Sequence, residues 1–205
     1  MELVFVAIPL MTGIWFYNQI SVAFRWVVMM CGITFLSEYL AYFFAIYFHR
    51  NLEIYLIYSL VSPIILLMIY MRMSRVKTSK LEQVLLSLLY LFFIVDALWI
   101  QPDEPLPTFI QQATAIVAML FALRYFRTLL KHSLDIKLTI NSYFWLNTGI
   151  FLYYGLSLFY WAVFNLLMKD KADFDVLIQW NLLVSILFYA IVTCSIYLNT
   201  KQQNG

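Results

Sequence analysis

The chain is short of charge. Only 12% of its 205 residues are Asp, Glu, Lys or Arg, about half the share of an average soluble domain. Hydrophobic residues make up 64%, and the mean hydropathy is +0.83. Glycine and proline occur five times each, cysteine and histidine twice each. Each shortage excludes something. Low charge on so apolar a chain excludes a cytosolic enzyme and a disordered segment, because only lipid solvates that much apolar surface. Cys31 and Cys194, both inside apolar runs, exclude a disulfide scaffold and read as small core residues. A net charge of +2, with no basic stripe interleaved with aromatics, excludes a nucleic-acid partner. His49 and His132 fall on opposite sides of the expected membrane, so they cannot form a two-histidine metal site. Neither GxSxG, HExxH nor a glycine-rich phosphate loop is present. The span Leu177–Leu198 has no lysine for a retinal Schiff base. No metal and no cofactor are expected, and without linkers or low-complexity stretches residues 1–205 read as a single domain.

What the chain does have is long apolar runs. About 20 apolar residues in a helix cross roughly 30 Å of hydrocarbon, and seven such runs occur, at 3–21, 24–48, 52–71, 81–100, 108–130, 143–167 and 176–198. The first is the weakest, since Pro9 and Gly13 interrupt it and Asn18-Gln19 shorten its apolar part. It begins Met1-Glu2-Leu3-Val4, without a basic leader, and reads as a retained helix. The Lys/Arg bias of the short loops sets the orientation. With the N-terminus outside, ten of the thirteen basic residues lie inside, and Asp103, Glu104, Asp170, Asp173 and Asp175 lie outside. All six tryptophans fall near an expected helix end, as an interfacial belt requires. The sequence therefore predicts an all-α, polytopic integral membrane bundle of seven helices in a bacterial inner membrane. Its N-terminus is outside and its C-terminus cytoplasmic.

Ionisable groups inside a bilayer cost about 2.5–3.5 kcal/mol on insertion scales, so each needs a reason. Glu38 is the clearest case. It lies 13 residues from Arg25 and 12 from Arg50, roughly 18–20 Å of helix from either, at the midplane. Cys31, Thr34, Ala41, Tyr42 and Ala45 share its helical face, which is expected to pack inward. Asp96 lies about 6 Å below the outer end of the fourth run and reads as a cap or interface carboxylate. The sixth run carries a stripe of Asn147, Tyr154, Ser157, Trp161 and Asn165. Tyr55, Ser59, Ser62, Gln111, Gln112, Thr114, Gln179 and Asn181 add polar groups in the outer half. Two readings compete for these side chains: interhelical hydrogen-bonding glue, or the walls of an outward-facing cavity floored by Glu38. The candidate ligand residues are Glu38, Tyr42, Asp96, Asn147, Tyr154, Trp161, Asn165 and Asn181. Pro63 interrupts the third helix near the same depth, and Gly149 permits close helix approach.

The stretch Phe144-Trp145-Leu146-Asn147-Thr148-Gly149-Ile150-Phe151-Leu152-Tyr153-Tyr154 resembles a motif of small bacterial seven-helix membrane proteins of unassigned activity. Glu38 in the second helix and Asn181 in the seventh resemble further features of that group. The resemblance implies a seven-helix bundle and a tilt toward signalling beside sensor kinases. It implies no ligand and no catalytic residue.

The leading functional expectation is a sensor-like protein that binds a small or amphipathic ligand in the outward cavity. A membrane or cytoplasmic partner would read binding at the basic loops Arg72–Lys80 and Arg124–Lys137. Those loops also suit anionic lipid head groups, and membrane lipids are expected partners in any case. The alternatives are a small proton- or ion-coupled transporter using Glu38, an intramembrane lipid hydrolase pairing Glu38 with Asp96, and a structural subunit of a larger complex.

Overall fold

The computed structural model describes residues 2–49, 51–73, 80–96, 108–132, 138–170 and 175–204. Within them the chain forms seven α-helices and no strand: α1 (Glu2–Trp15), α2 (Val22–Phe48), α3 (Leu52–Met73), α4 (Lys80–Val95), α5 (Thr108–His132), α6 (Ser142–Asp170) and α7 (Asp175–Asn204). A short 3-10 turn, Leu138–Ile140, precedes α6. The expected all-α class holds. Four helices, Val22–Phe48, Glu53–Met73, Thr108–Leu129 and Asp175–Gln203, are long and apolar enough to cross a membrane. Leu3–Trp15 and Gln83–Val95 are apolar but shorter. The chain is thus a helical membrane protein by the length and composition of its helices.

The boundaries differ from expectation where local hydrogen bonding outweighs apolar content. α1 stops at Trp15, not at residue 21. Past it, Tyr17 donates its amide to the Ile14 carbonyl (3.2 Å) and Gln19 to that of Phe16 (2.8 Å), turning the chain before Ser21. α7 runs beyond Leu198 to Asn204, because its polar last turn finds partners in α6. α2 ends at His49, whose left-handed φ of 53° stops the helix and lets its backbone N–H reach the Phe44 carbonyl.

α1 packs on α2, α2 on α3, α3 on α5, α5 on α6, α6 on α7, and α7 returns to α1. Six helices therefore close a ring, and α4 leans on α3 and α5 from outside. Tyr90 fastens α4 by donating to the Leu60 carbonyl (2.5 Å), in the turn where Pro63 lacks the N–H that would continue the ladder. Two glycines set close approaches. A Cβ on Gly13 would meet Val28 Cγ2 at 2.2 Å, and one on Gly149 would meet Ile191 Cγ2 at 2.9 Å. The interior is filled by Phe24, Leu66, Ile69, Leu146, Ile150 and Ile196, each almost wholly buried. The outer faces are equally apolar: Leu36, Leu91, Leu123 and Leu183 are exposed, as suits lipid contact. Cys31 is a core residue as expected, but Cys194 is exposed; both are free thiols.

Candidate functional site

An internal space lies toward the C-terminal parts of α2 and α6 and the N-terminal parts of α3, α5 and α7. It is a cavity of about 290 Å³ between α2, α3, α5, α6 and α7. Glu38 enters from α2, Tyr55, Tyr58 and Ser62 from α3, and Gln111, Thr114 and Ala115 from α5. α6 supplies Tyr153, Tyr154, Ser157, Tyr160 and Trp161, and α7 supplies Asn181. Helical spacing explains the α6 wall: residues three, four and seven apart share one face, and Tyr153/Tyr154, Ser157 and Tyr160/Trp161 follow that rhythm.

Part of this lining is braced. Tyr58 shares a hydrogen bond with Thr34 Oγ1 (3.0 Å). Gln111 donates its side-chain amide to Ser59 Oγ, which in turn donates to the Tyr55 carbonyl (2.8 Å). Tyr153 and Tyr154 meet edge to face at 5.3 Å, as do Tyr160 and Trp161 at 4.9 Å. Beneath the cavity, Tyr58 and Tyr153 also border a tight slot of about 20 Å³ among Met30, Cys31, Ile150 and Val192.

Two hydroxyls are different. Thr114 and Ser157, 5% and 7% exposed, have buried oxygens with no hydrogen-bond partner among the described residues, and both line the cavity. Helical serine and threonine usually resolve this by bonding back to a carbonyl one turn earlier. Thr34, Ser59, Thr128, Thr148, Thr193 and Thr200 do so here. Leaving a buried hydroxyl unpaired costs about 1–3 kcal/mol. Neighbouring cavity space is where a missing partner would sit.

The opposite half of the bundle carries polar groups that satisfy one another. Tyr70 on α3 donates to Asn147 Oδ1 (2.7 Å), and Asn147 donates its Nδ2 to the Ala122 carbonyl (3.1 Å), joining α3, α6 and α5. Nearer the end, Asn199 accepts from the Ser21 amide (2.8 Å) and donates to Ser142 Oγ (3.1 Å). Ser142 Oγ donates to Gln202 Oε1 (2.6 Å), and Tyr143 donates to Ser21 Oγ (2.9 Å). Asn141 caps α6 by accepting the Phe144 amide (3.1 Å). This node ties α2, α6 and α7 together.

The candidate residues therefore divide. Glu38, Tyr154, Trp161 and Asn181 share the cavity. Asn147 is wholly buried in the Tyr70 bond network, the glue reading. Tyr42 is 62% exposed and does not line the cavity, because the last two turns of α2 are little covered: Phe43, Ile46, Tyr47 and Phe48 are exposed as well. Asp96 is fully buried but does not line the cavity with Glu38. Its carboxylate lies close to the Ile110 amide at the first turn of α5, without a hydrogen bond of good geometry. Asn165 is in α6, but its side chain lies outside the described residues, as do residues 74–79 and 133–137 of the two basic loops. Sequence reasoning missed Tyr58, Tyr153 and Tyr160, whose aromatic character does not distinguish them from lipid-facing rings. It also missed the Ser21–Ser142–Asn199 node, where Asn141 and Ser142 immediately before an apolar run were the available signal.

Among the described residues no group of three or more His, Cys, Asp or Glu could hold a metal ion. No family model, curated protein or solved structure matches the chain.

Proposed function

We propose that this protein is a seven-span membrane receptor-like binder, with its N-terminus outside and its C-terminus cytoplasmic, that takes a small ligand into the cavity beside Glu38. The observation that carries the reading is the pair of buried, partnerless hydroxyls of Thr114 and Ser157 on a cavity of about 290 Å³. A cavity near this size, walled by six aromatic side chains and six polar or charged ones, combines the apolar surface and convergent polar groups of small-molecule sites. Arg25, Arg72, Arg124, Arg127 and Lys201 at the opposite end support an outward-facing cavity through the positive-inside bias. Binding would bias the packing of α5, α6 and α7 around the cavity, to be read by a partner at the Arg72–Lys80 and Arg124–Lys137 loops. Membrane lipid is the other partner. An open apolar groove with Leu10, Met29, Ile33 and Leu36 runs to Arg25, which lies over the Tyr17 ring at 5.2 Å; this suits an acyl chain beneath an anionic head group.

The test is a thermal-shift ligand screen on wild type and on Ser157→Leu, which fills part of the cavity. Compounds that stabilise wild type and not the filled variant support the site. Compounds that stabilise both equally, or none at all, count against it.

A transporter is the second reading, favoured by one observation: the cavity lies toward one end while the Ser21–Ser142–Asn199 node closes the other. A carrier open to one side has that geometry. Ion- or proton-coupled flux in proteoliposomes, lost in Glu38→Gln, would favour it over a binder.

A further inference from the structure

We infer that the ligand class of this cavity is a small organic ammonium cation bearing a hydrogen-bonding group, an inference that rests on the ligand-site reading above. The charge of the lining has one sign. Among the described residues Glu38 is its one carboxylic acid, and no Lys, Arg or His borders the cavity. Six aromatic side chains, Tyr55, Tyr58, Tyr153, Tyr154, Tyr160 and Trp161, line the same cavity as that carboxyl group. Aromatic faces carry negative potential, and several rings around one site form the cage that recognises alkylated ammonium groups.

Other ligand classes fit less well. An anion would meet a carboxyl group and six π-systems with no basic partner among the described residues. A bare metal ion needs several oxygen ligands at about 2.0–2.6 Å, whereas this lining is mostly carbon and the space holds many times one ion. A purely apolar ligand would leave the Thr114 and Ser157 hydroxyls, which have no partner among the described residues, still unpaired. An alkylated ammonium is weakly hydrated and accepts an aromatic surround, while its hydroxyl or carbonyl group can meet Thr114 on α5 and Ser157 on α6. The polar end and the cationic end of one small molecule would then use different parts of the lining.

The experiment compares three probes of similar girth on the full-length protein in a maltoside detergent, followed by tryptophan fluorescence and calorimetry. The probes are choline, its neutral isostere with carbon in place of nitrogen, and the anion pivalate. The expected result is that choline binds, the isostere binds about tenfold more weakly or worse, and pivalate does not bind. Glu38→Gln and Trp161→Phe should each weaken choline by a similar factor. Should a variant fail to fold, the probe ranking in wild type decides alone. If the isostere or pivalate binds as well as choline, the cation class is overturned while the ligand site stands. If choline does not bind, the cation class is also overturned, and the Ser157→Leu screen separately decides whether the cavity is a site at all.

Discussion

Thr114 on α5 and Ser157 on α6 bring two buried hydroxyls to one cavity, and neither has a hydrogen-bond partner among the described residues. Nine other serine and threonine hydroxyls, in α1, α2, α3, α5, α6 and α7, bond back to their own backbone. Two exceptions that line one void connect the packing of the bundle to a use for it.

Because no protein hydrogen bond is lost, Thr114→Val and Ser157→Ala should leave the unliganded protein as stable as wild type, or more stable by about 1 kcal/mol. Chemical denaturation in detergent checks this. Destabilisation by more than about 2 kcal/mol in both would mean these hydroxyls already hold the bundle together.

The Tyr70–Asn147–Ala122 link should behave in the opposite way. Asn147→Leu leaves the Tyr70 hydroxyl unpaired in a dry interior and removes the second hydrogen bond to the Ala122 carbonyl, and is expected to cost about 1–3 kcal/mol. Tyr70→Phe should cost less, about 0.6–1.5 kcal/mol. In the double variant the two effects should not add. Additive losses would show that the pair does not interact.

Asn199→Ala removes the centre of the node that joins Ser21 and Ser142. The expected loss is about 2 kcal/mol, with hydrogen exchange at the Ser21 amide accelerating while amides near the cavity stay protected. Uniform acceleration along the chain would place the node's role elsewhere.

Much of this fold was legible before any coordinates. Apolar runs of membrane-crossing length predict helices, and every one of the seven has its counterpart. The misplaced ends, at Trp15 and Asn204, depend on hydrogen bonds that hydropathy does not register. Glu38, Tyr154, Trp161 and Asn181 were singled out because a polar group in lipid needs a reason, and the cavity brings those four together. Asn147 met the same criterion and serves a structural bond, since sequence gives depth but not partner. Tyr42 shares the Glu38 face but lies in the little-covered last turns of α2 and outside the cavity lining, a difference that helical phase does not register. The three missed tyrosines look identical, in sequence, to rings that face lipid.

Helix contact at Gly13 is tight enough to test by compensation. Gly13→Ala places a methyl group 2.2 Å from Val28 Cγ2 and should cost about 1–3 kcal/mol through overpacking. Adding Val28→Ala should recover most of it. No recovery would mean that α1 and α2 do not meet at this point.

The most direct test of the central claim is chemical access to the cavity wall in the membrane. Ser157→Cys, combined with Cys31→Ala and Cys194→Ala, is treated in proteoliposomes with a cationic, membrane-impermeant methanethiosulfonate, and Glu53→Cys in the same background serves as the exposed control. The account predicts that position 157 is modified more slowly than position 53, that the reaction comes from the outer side, and that a bound cavity ligand protects it. If position 157 stays inert while position 53 reacts, the cavity is sealed from water and the ligand-site account fails.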